Sequence, residues 1–271
     1  MKELTFGFSP CPNDTFAFHA LVHGLVDAPF RVRPVLLDIE ELNRQAHQGA
    51  LDITKLSVGA FAAVGDRYRL LRSGAALGHG VGPLVVARSP RSLTDATRGR
   101  MAIPGRETTA FRLLRLATKD VHHGLLGPVL QDVVELRYDG ILAAVERGDV
   151  DAGLIIHESR FTYEAHGLVK VVDLGDWWEG ETGLPVPLAG ICARAELDAA
   201  LVAEVEAGIR ASVQHAFDHP GDSRAYVRAH AQEMADEVCD AHIKLYVNEH
   251  SLDIGEVGMR AISRLRAASG G

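Results

Sequence analysis

Leu4-Thr5-Phe6-Gly7-Phe8-Ser9-Pro10-Cys11-Pro12-Asn13-Asp14-Thr15-Phe16 is the stretch on which the fold class turns. Its first half alternates as a strand does, two prolines then impose an extended turn, and an amphipathic stretch runs from 14 to 23. The prolines block helix until the chain has passed Pro12, and Asn13 and Asp14 are good caps for the helix that follows. A strand that ends on a helix N-terminus offers backbone amides at the carboxyl edge of a sheet, where open α/β folds bind carboxylates or phosphates. A capped turn with no ligand is an equal reading of this segment alone. Cys11 has no His or Lys near it in sequence to lower its pKa, which argues against a nucleophile.

Strand and helix patterns keep alternating beyond this stretch, at 31–37, 40–48 and 52–56, and again at 101–103, 109–118, 133–136, 140–147, 152–156 and 169–174. That order implies a parallel or mixed sheet with crossover helices. Two apolar segments, Pro83-Leu84-Val85-Val86-Ala87-Arg88 and Pro187-Leu188-Ala189-Gly190-Ile191-Cys192-Ala193-Arg194, share a proline start and an Ala-Arg end, and read as paired hinge strands. After Arg194 the pattern is helical throughout, at 197–217, 223–230, 235–247 and 254–265. The simplest arrangement has one lobe from residues 1–88 plus 190–271 and a second from 89–189, joined by two crossings that let the lobes close over a ligand. A single doubly wound sheet without a cleft is the alternative.

With 271 residues, 47% hydrophobic and 24% charged, the chain can bury a substantial core. A formal net charge of −8 argues against a nucleic-acid partner, which needs a concentrated surplus of Lys and Arg. It does not exclude a small anionic ligand held by local donors. Three widely spaced cysteines make neither a disulfide framework nor a metal site. The start, MKELTFGF, lacks the features of a secretory signal, and no apolar run approaches the roughly 18 residues that cross a bilayer. The expectation is a soluble cytoplasmic protein with no membrane partner. The Ala- and Val-rich helices after Arg194 could pack against a twin to form a homodimer.

Three further strand ends carry candidate chemistry. In Asp52-Ile53-Thr54-Lys55-Leu56-Ser57-Val58-Gly59-Ala60, Ser57 is a helix cap or a hydroxyl offered to a ligand, and Lys55 is a carboxylate's charge partner or a solvated strand end. In Ile103-Pro104-Gly105-Arg106-Glu107-Thr108-Thr109-Ala110-Phe111, amides and two hydroxyls converge as in an anion nest, although Thr108 or Thr109 could simply cap the helix. In Ala152-Gly153-Leu154-Ile155-Ile156-His157-Glu158-Ser159-Arg160-Phe161-Thr162, a buried strand ends on His157, whose imidazole can exchange a proton near neutral pH. A lone histidine is more often structural, and Glu158 and Arg160 orient it or are merely solvated. No GxxxxGK[ST], GxGxxG after a strand, HExxH or GxSxG occurs, and His122-His123 has no spaced carboxylate beside it. Neither a nucleotide cofactor nor a metal is expected.

Together, SPCPNDTFAFHALVHG, TKLSVGAF, GRETTAF and GLIIHESRFTY resemble, over essentially the whole chain and in order, the 1,4-dihydroxy-6-naphthoate synthase family of the futalosine route to menaquinone. The resemblance implies an α/β, two-lobed type II periplasmic-binding-protein-like fold with a two-strand hinge, used as an enzyme. It implies a carbon–carbon lyase that converts cyclic dehypoxanthine futalosine, a small anionic substrate, to 1,4-dihydroxy-6-naphthoate without a cofactor. It makes His157 the general base and Lys55, Leu56, Ser57, Thr109 and Ala110 substrate contacts, with Thr108 and Asn43 beside them. The proline turn adds Ser9, Pro10 and Asn13. Chorismate dehydratase of the same pathway shares the fold, and the HESRFTY motif favours the synthase. A solute-binding protein would normally carry an export signal, and a ligand-sensing regulator would be joined to a helix-turn-helix region.

Overall fold

Period-two alternation places Leu4, Phe6 and Phe8 on one face of the first strand, β1 (Lys2–Phe8), and all three are fully buried. The rings of Phe6, Phe8 and Phe18 pack at 5.0–5.4 Å between centroids, which ties β1 to the helix Pro12–Val22. In the computed structural model, which describes residues 2–122, 130–231 and 235–268, the later strands follow in order. They are β2 (Phe30–Leu36), β3 (Ile53–Ser57), β4 (Tyr68–Leu70), β5 (Ala76–Gly78), β6 (Leu84–Ala87), β7 (Met101–Ile103), β8 (Val133–Glu135), β9 (Ala152–Ile155), β10 (Val169–Asp173) and β11 (Val186–Arg194). The chain divides into two compact units, residues 1–78 with 187–271 and residues 79–186.

The first unit holds a mixed sheet in the order β2-β1-β3-β11-β4, with β5 also paired to β11. β1 runs parallel to β2 and β3, so each connection needs a crossover; Pro12–Val22 and Ile39–Ala46 supply them. The long helix Ala199–Asp218 buries Val205, Ile209, Val213 and Ala216 at helical spacing. Its Ser212 hydroxyl donates to the Ala17 carbonyl (2.8 Å) and accepts from the Leu21 amide (3.0 Å), fastening it to the first helix. The second unit holds the sheet β10-β6-β9-β7-β8, in which β7 is parallel to β8 and β9 while β6 is antiparallel to β9 and β10. Its core gathers Leu84, Val86, Ala102, Ile141, Val145 and Ile155.

Two expectations change here. The proline-initiated segments resemble each other but do not pair: β6 bonds to β9 and β10, whereas β11 bonds to β3 and β4. β6 is internal to the second sheet, and the units change over in sequence at 78–79 and 186–187. The first helix starts at Pro12 itself, with Cys11 at the cap position and no side chain capping it. Proline fits there because its fixed φ suits the first helical residue and its missing N–H leaves no donor orphaned. Asn13 and Asp14 therefore lie inside the first turn and do not cap it. No helix among the described residues is long and apolar enough to cross a membrane. His122 ends the helix Thr109–His122, and His123 lies outside the described residues.

Candidate functional site

In the first unit the sequence candidates converge on a buried carboxylate. Asp14 is 2% exposed, and its Oδ2 accepts from the Ser9 amide (3.0 Å) and the Ser9 hydroxyl (2.7 Å). Its Oδ1 accepts from Asn13 Nδ2 (2.8 Å) and from the ammonium of Lys55, which reaches it from β3. Lys55 is thus no solvated strand end: its side chain is 4% exposed and ion-paired. An ammonium has three hydrogens, so the pair leaves Lys55 able to serve a second acceptor. The Asn13 Oδ1 is buried and has no hydrogen-bond partner among the described residues. Pro10 lies in the turn between Ser9 and the helix, where it can offer only its carbonyl and ring.

A second group is built on Ser57, two residues beyond Lys55 on the same strand. Asn43, fully buried on Ile39–Ala46, accepts from the Ser57 amide (2.9 Å) and donates to the Ser57 hydroxyl (3.1 Å). Ser57 does not cap the short turn after β3; its side chain makes no capping bond there. Held as an acceptor by Asn43, the hydroxyl keeps its own hydrogen to donate. Leu56 is fully buried and pairs with Gly190 on β11.

The second unit holds the remaining candidates. At Gly105 the chain takes φ +152°, a conformation open in practice to glycine, and turns into Thr109–His122. The Thr108 hydroxyl donates to the Gly105 carbonyl (2.8 Å) and accepts from the Phe111 amide (3.1 Å), so Thr108 is the helix cap. Thr109 and Ala110 follow in the first turn, each 3% exposed.

His157 sits two residues beyond β9 with φ +56°, a left-handed conformation for a side-chain-bearing residue. Histidine tolerates this region better than most residues, yet such positions cost on the order of 1–3 kcal/mol and gather at functional sites. The half-buried imidazole meets the ring of Tyr138 edge-on, centroids 4.9 Å apart. Glu158 is buried beside it and hydrogen bonded to Tyr138. Burial pushes the Glu158 carboxyl above its ordinary value of 4.5, and the nearby Asp139 carboxylate adds to the effect. Asp139 goes the other way, held below the usual carboxylate range by its bond to Arg137. Arg160 is not solvated either: it donates to the Gly82 carbonyl (2.5 Å) and pairs with Asp173 (2.6 Å), which caps Leu174–Thr182. An added Cβ at Gly82 would stand 2.2 Å from the Gly175 backbone nitrogen, so this buttress depends on glycine.

Because native Glu158 holds its proton more tightly than the unfolded chain does, its contribution to stability is complete below pH 4.5 and is lost as pH rises through the native value. Glu158→Gln, neutral throughout, should therefore match wild type in melting temperature near pH 4, exceed it increasingly as pH rises through the native value of Glu158, and hold that advantage above it. Parallel melting curves across that range would remove the buried acid from the picture.

Tyr138 and the Asp14–Lys55 pair escape a sequence reading. The pair joins residues 41 positions apart, and Arg137-Tyr138-Asp139 carries no motif. All three cysteines are buried and none forms a disulfide, and burial pushes the Cys192 thiol far up, so none has the exposure of a nucleophile. Among the described residues no group of three or more His, Cys, Asp or Glu is arranged to hold a metal.

The sequence matches, over residues 4–269, a family model described as menaquinone biosynthesis. It is 55% identical over 267 residues, 98% of this chain and 94% of the relative, to a Thermus thermophilus protein named 1,4-dihydroxy-6-naphthoate synthase. A Streptomyces coelicolor protein of the same name is 46% identical over 272 residues, 99% of this chain and 94% of that one. The fold is similar, with a TM-score of 0.67 at 12% identity over 99% of this chain and 90% of the other, to a Candida albicans gene product described as having the generic periplasmic binding protein fold. At that identity the likeness concerns the fold alone.

Proposed function

The chain belongs to the menaquinone-biosynthesis family that it matches from residue 4 to residue 269, and on that premise we propose that it is a 1,4-dihydroxy-6-naphthoate synthase. Its substrate is cyclic dehypoxanthine futalosine, which it cleaves as a carbon–carbon lyase. The names of the two relatives support the product, and one observation carries the mechanism: His157 held at φ +56° at the end of β9 against Tyr138 and Glu158. The residue is kept in a costly backbone conformation with its titratable ring packed against Tyr138, as proton transfer at a fixed point requires.

In this reading His157 takes a hydroxyl proton from the substrate, that oxygen becomes the carbonyl of the released sugar-derived fragment as the adjacent carbon–carbon bond breaks in a retro-aldol-like step, the electron pair passes into an enolate that regains the proton, and aromatisation drives the sequence forward. Charge that develops on oxygen is met by donors already in place. The Ser57 hydroxyl, Thr109 and the amides of its helix start are the candidates, and such preorganised donors are worth a few kcal/mol each. Lys55, held but not exhausted by Asp14, suits the substrate carboxylate.

Ser57→Ala and Thr109→Ala should each weaken binding of the product by about tenfold to a hundredfold, the loss of one hydrogen bond to a charged group. Unchanged affinity by calorimetry would take that residue out of the site. The reading itself is tested by incubating the purified chain with cyclic dehypoxanthine futalosine or with chorismate, no cofactor added. Release of 1,4-dihydroxy-6-naphthoate from the first alone is expected; consumption of chorismate alone would make the chain a dehydratase.

A further inference from the structure

We propose that Tyr138 is a positioning residue for His157, its ring walling the imidazole on one side and its hydroxyl fastening the adjacent Glu158. The inference rests on His157 being the base. Tyr138 is 4% exposed and begins the short turn Tyr138–Gly140, three residues after β8 ends. The two rings meet with planes 68° apart, the edge-to-face arrangement that aromatic quadrupoles favour.

The need for such a wall follows from torsions. The left-handed φ of His157 fixes the direction of its Cα–Cβ bond but leaves the ring to rotate. The last torsion of a histidine is broad and roughly two-fold, so backbone geometry alone does not choose which nitrogen faces the substrate. A buried ring packed edge-on narrows that torsion. The hydroxyl adds a second constraint, because Glu158, the next residue along, is hydrogen bonded to the same tyrosine. His157 and its neighbour are thus held by one side chain from a different element.

The electrostatic surroundings agree with this arrangement. Asp139, next to Tyr138, has its charge matched by Arg137, while burial favours a neutral Glu158. A pair of carboxyls whose environments push them apart is characteristic of sites where proton transfer is controlled. Tyr138 needs no proton of its own for this role, since its ring and hydroxyl act on His157 and Glu158, not on substrate.

The test uses Tyr138→Phe, which keeps the wall and loses the tether, and Tyr138→Met, which loses both while filling the space with a flexible side chain. For the cyclic substrate, kcat should fall a few-fold in the phenylalanine variant and about tenfold to a hundredfold in the methionine variant, as misplacing a catalytic group does. KM and product affinity should stay within about twofold, because binding does not involve the imidazole's orientation. A KM raised in proportion to the loss, or wild-type kcat in both variants, would overturn the proposal. If the methionine variant does not fold, the phenylalanine variant decides alone: reduced kcat at unchanged KM supports it and wild-type kcat sinks it. His157→Ala measured alongside separates the two ideas. Full turnover without His157 defeats the base assignment itself, whereas a dead His157→Ala with an unimpaired Tyr138 series defeats only the positioning role.

Discussion

Replacing His157 with alanine is expected to lower kcat for cyclic dehypoxanthine futalosine by about a hundredfold to ten-thousandfold, the usual contribution of a positioned acid–base group. The substitution removes the imidazole from a backbone that already stands at φ +56°, so the variant must be shown to fold before its rate is read. His157→Asn is the better partner experiment, since asparagine tolerates the left-handed region and lacks a base of comparable strength. Both variants should bind product with near-wild-type affinity, because the polar contacts assigned to binding come from Ser57, Thr109 and Lys55. A loss of affinity equal to the loss of rate would make His157 a binding group and not the base.

The second large effect concerns stability. Asp14→Leu would leave the ammonium of Lys55, 4% exposed, without its carboxylate, and breaking a buried pair by removing one partner costs about 3–5 kcal/mol. The Ser9 amide and hydroxyl and the Asn13 side chain lose their acceptor at the same time. A drop in melting temperature on the order of 10 °C is expected for a chain of this size. Adding Lys55→Met to Asp14→Leu should recover much of it, since two apolar groups of similar volume leave no uncompensated charge. If the double variant were no more stable than the single one, the ion pair would not be the source of the loss.

The fold was legible where local chemistry decides it. The strand, proline turn and helix at the start follow from alternation and from what proline forbids, and Met101–Ile103 stands where its pattern puts it. Nothing in the local pattern sets off the short strands β4 and β5. The likeness of Pro83–Arg88 to Pro187–Arg194 misled, because strand partners are chosen by distant chain and not by a shared local motif. At the site, His157 and Ser57 were visible as polar residues at strand ends. The positive φ of His157 was not, since no residue type reports its own backbone angle unless it is glycine or proline. Local pattern makes Asp14 a cap, its commonest use; its bond to Lys55 depends on β1 and β3 lying side by side. Tyr138 is brought to His157 by the parallel pairing of β7 with both β8 and β9, again beyond any local pattern.

Whether His157 accepts the proton is decided most directly by the pH dependence of kcat/KM for the cyclic substrate, in wild type and in His157→Asn. Wild-type kcat/KM should fall on the acid side with the uptake of one proton, between about pH 5 and 8 where histidine changes charge, and the residual turnover of the variant should lack that limb. The same acid limb in the variant would contradict the assignment.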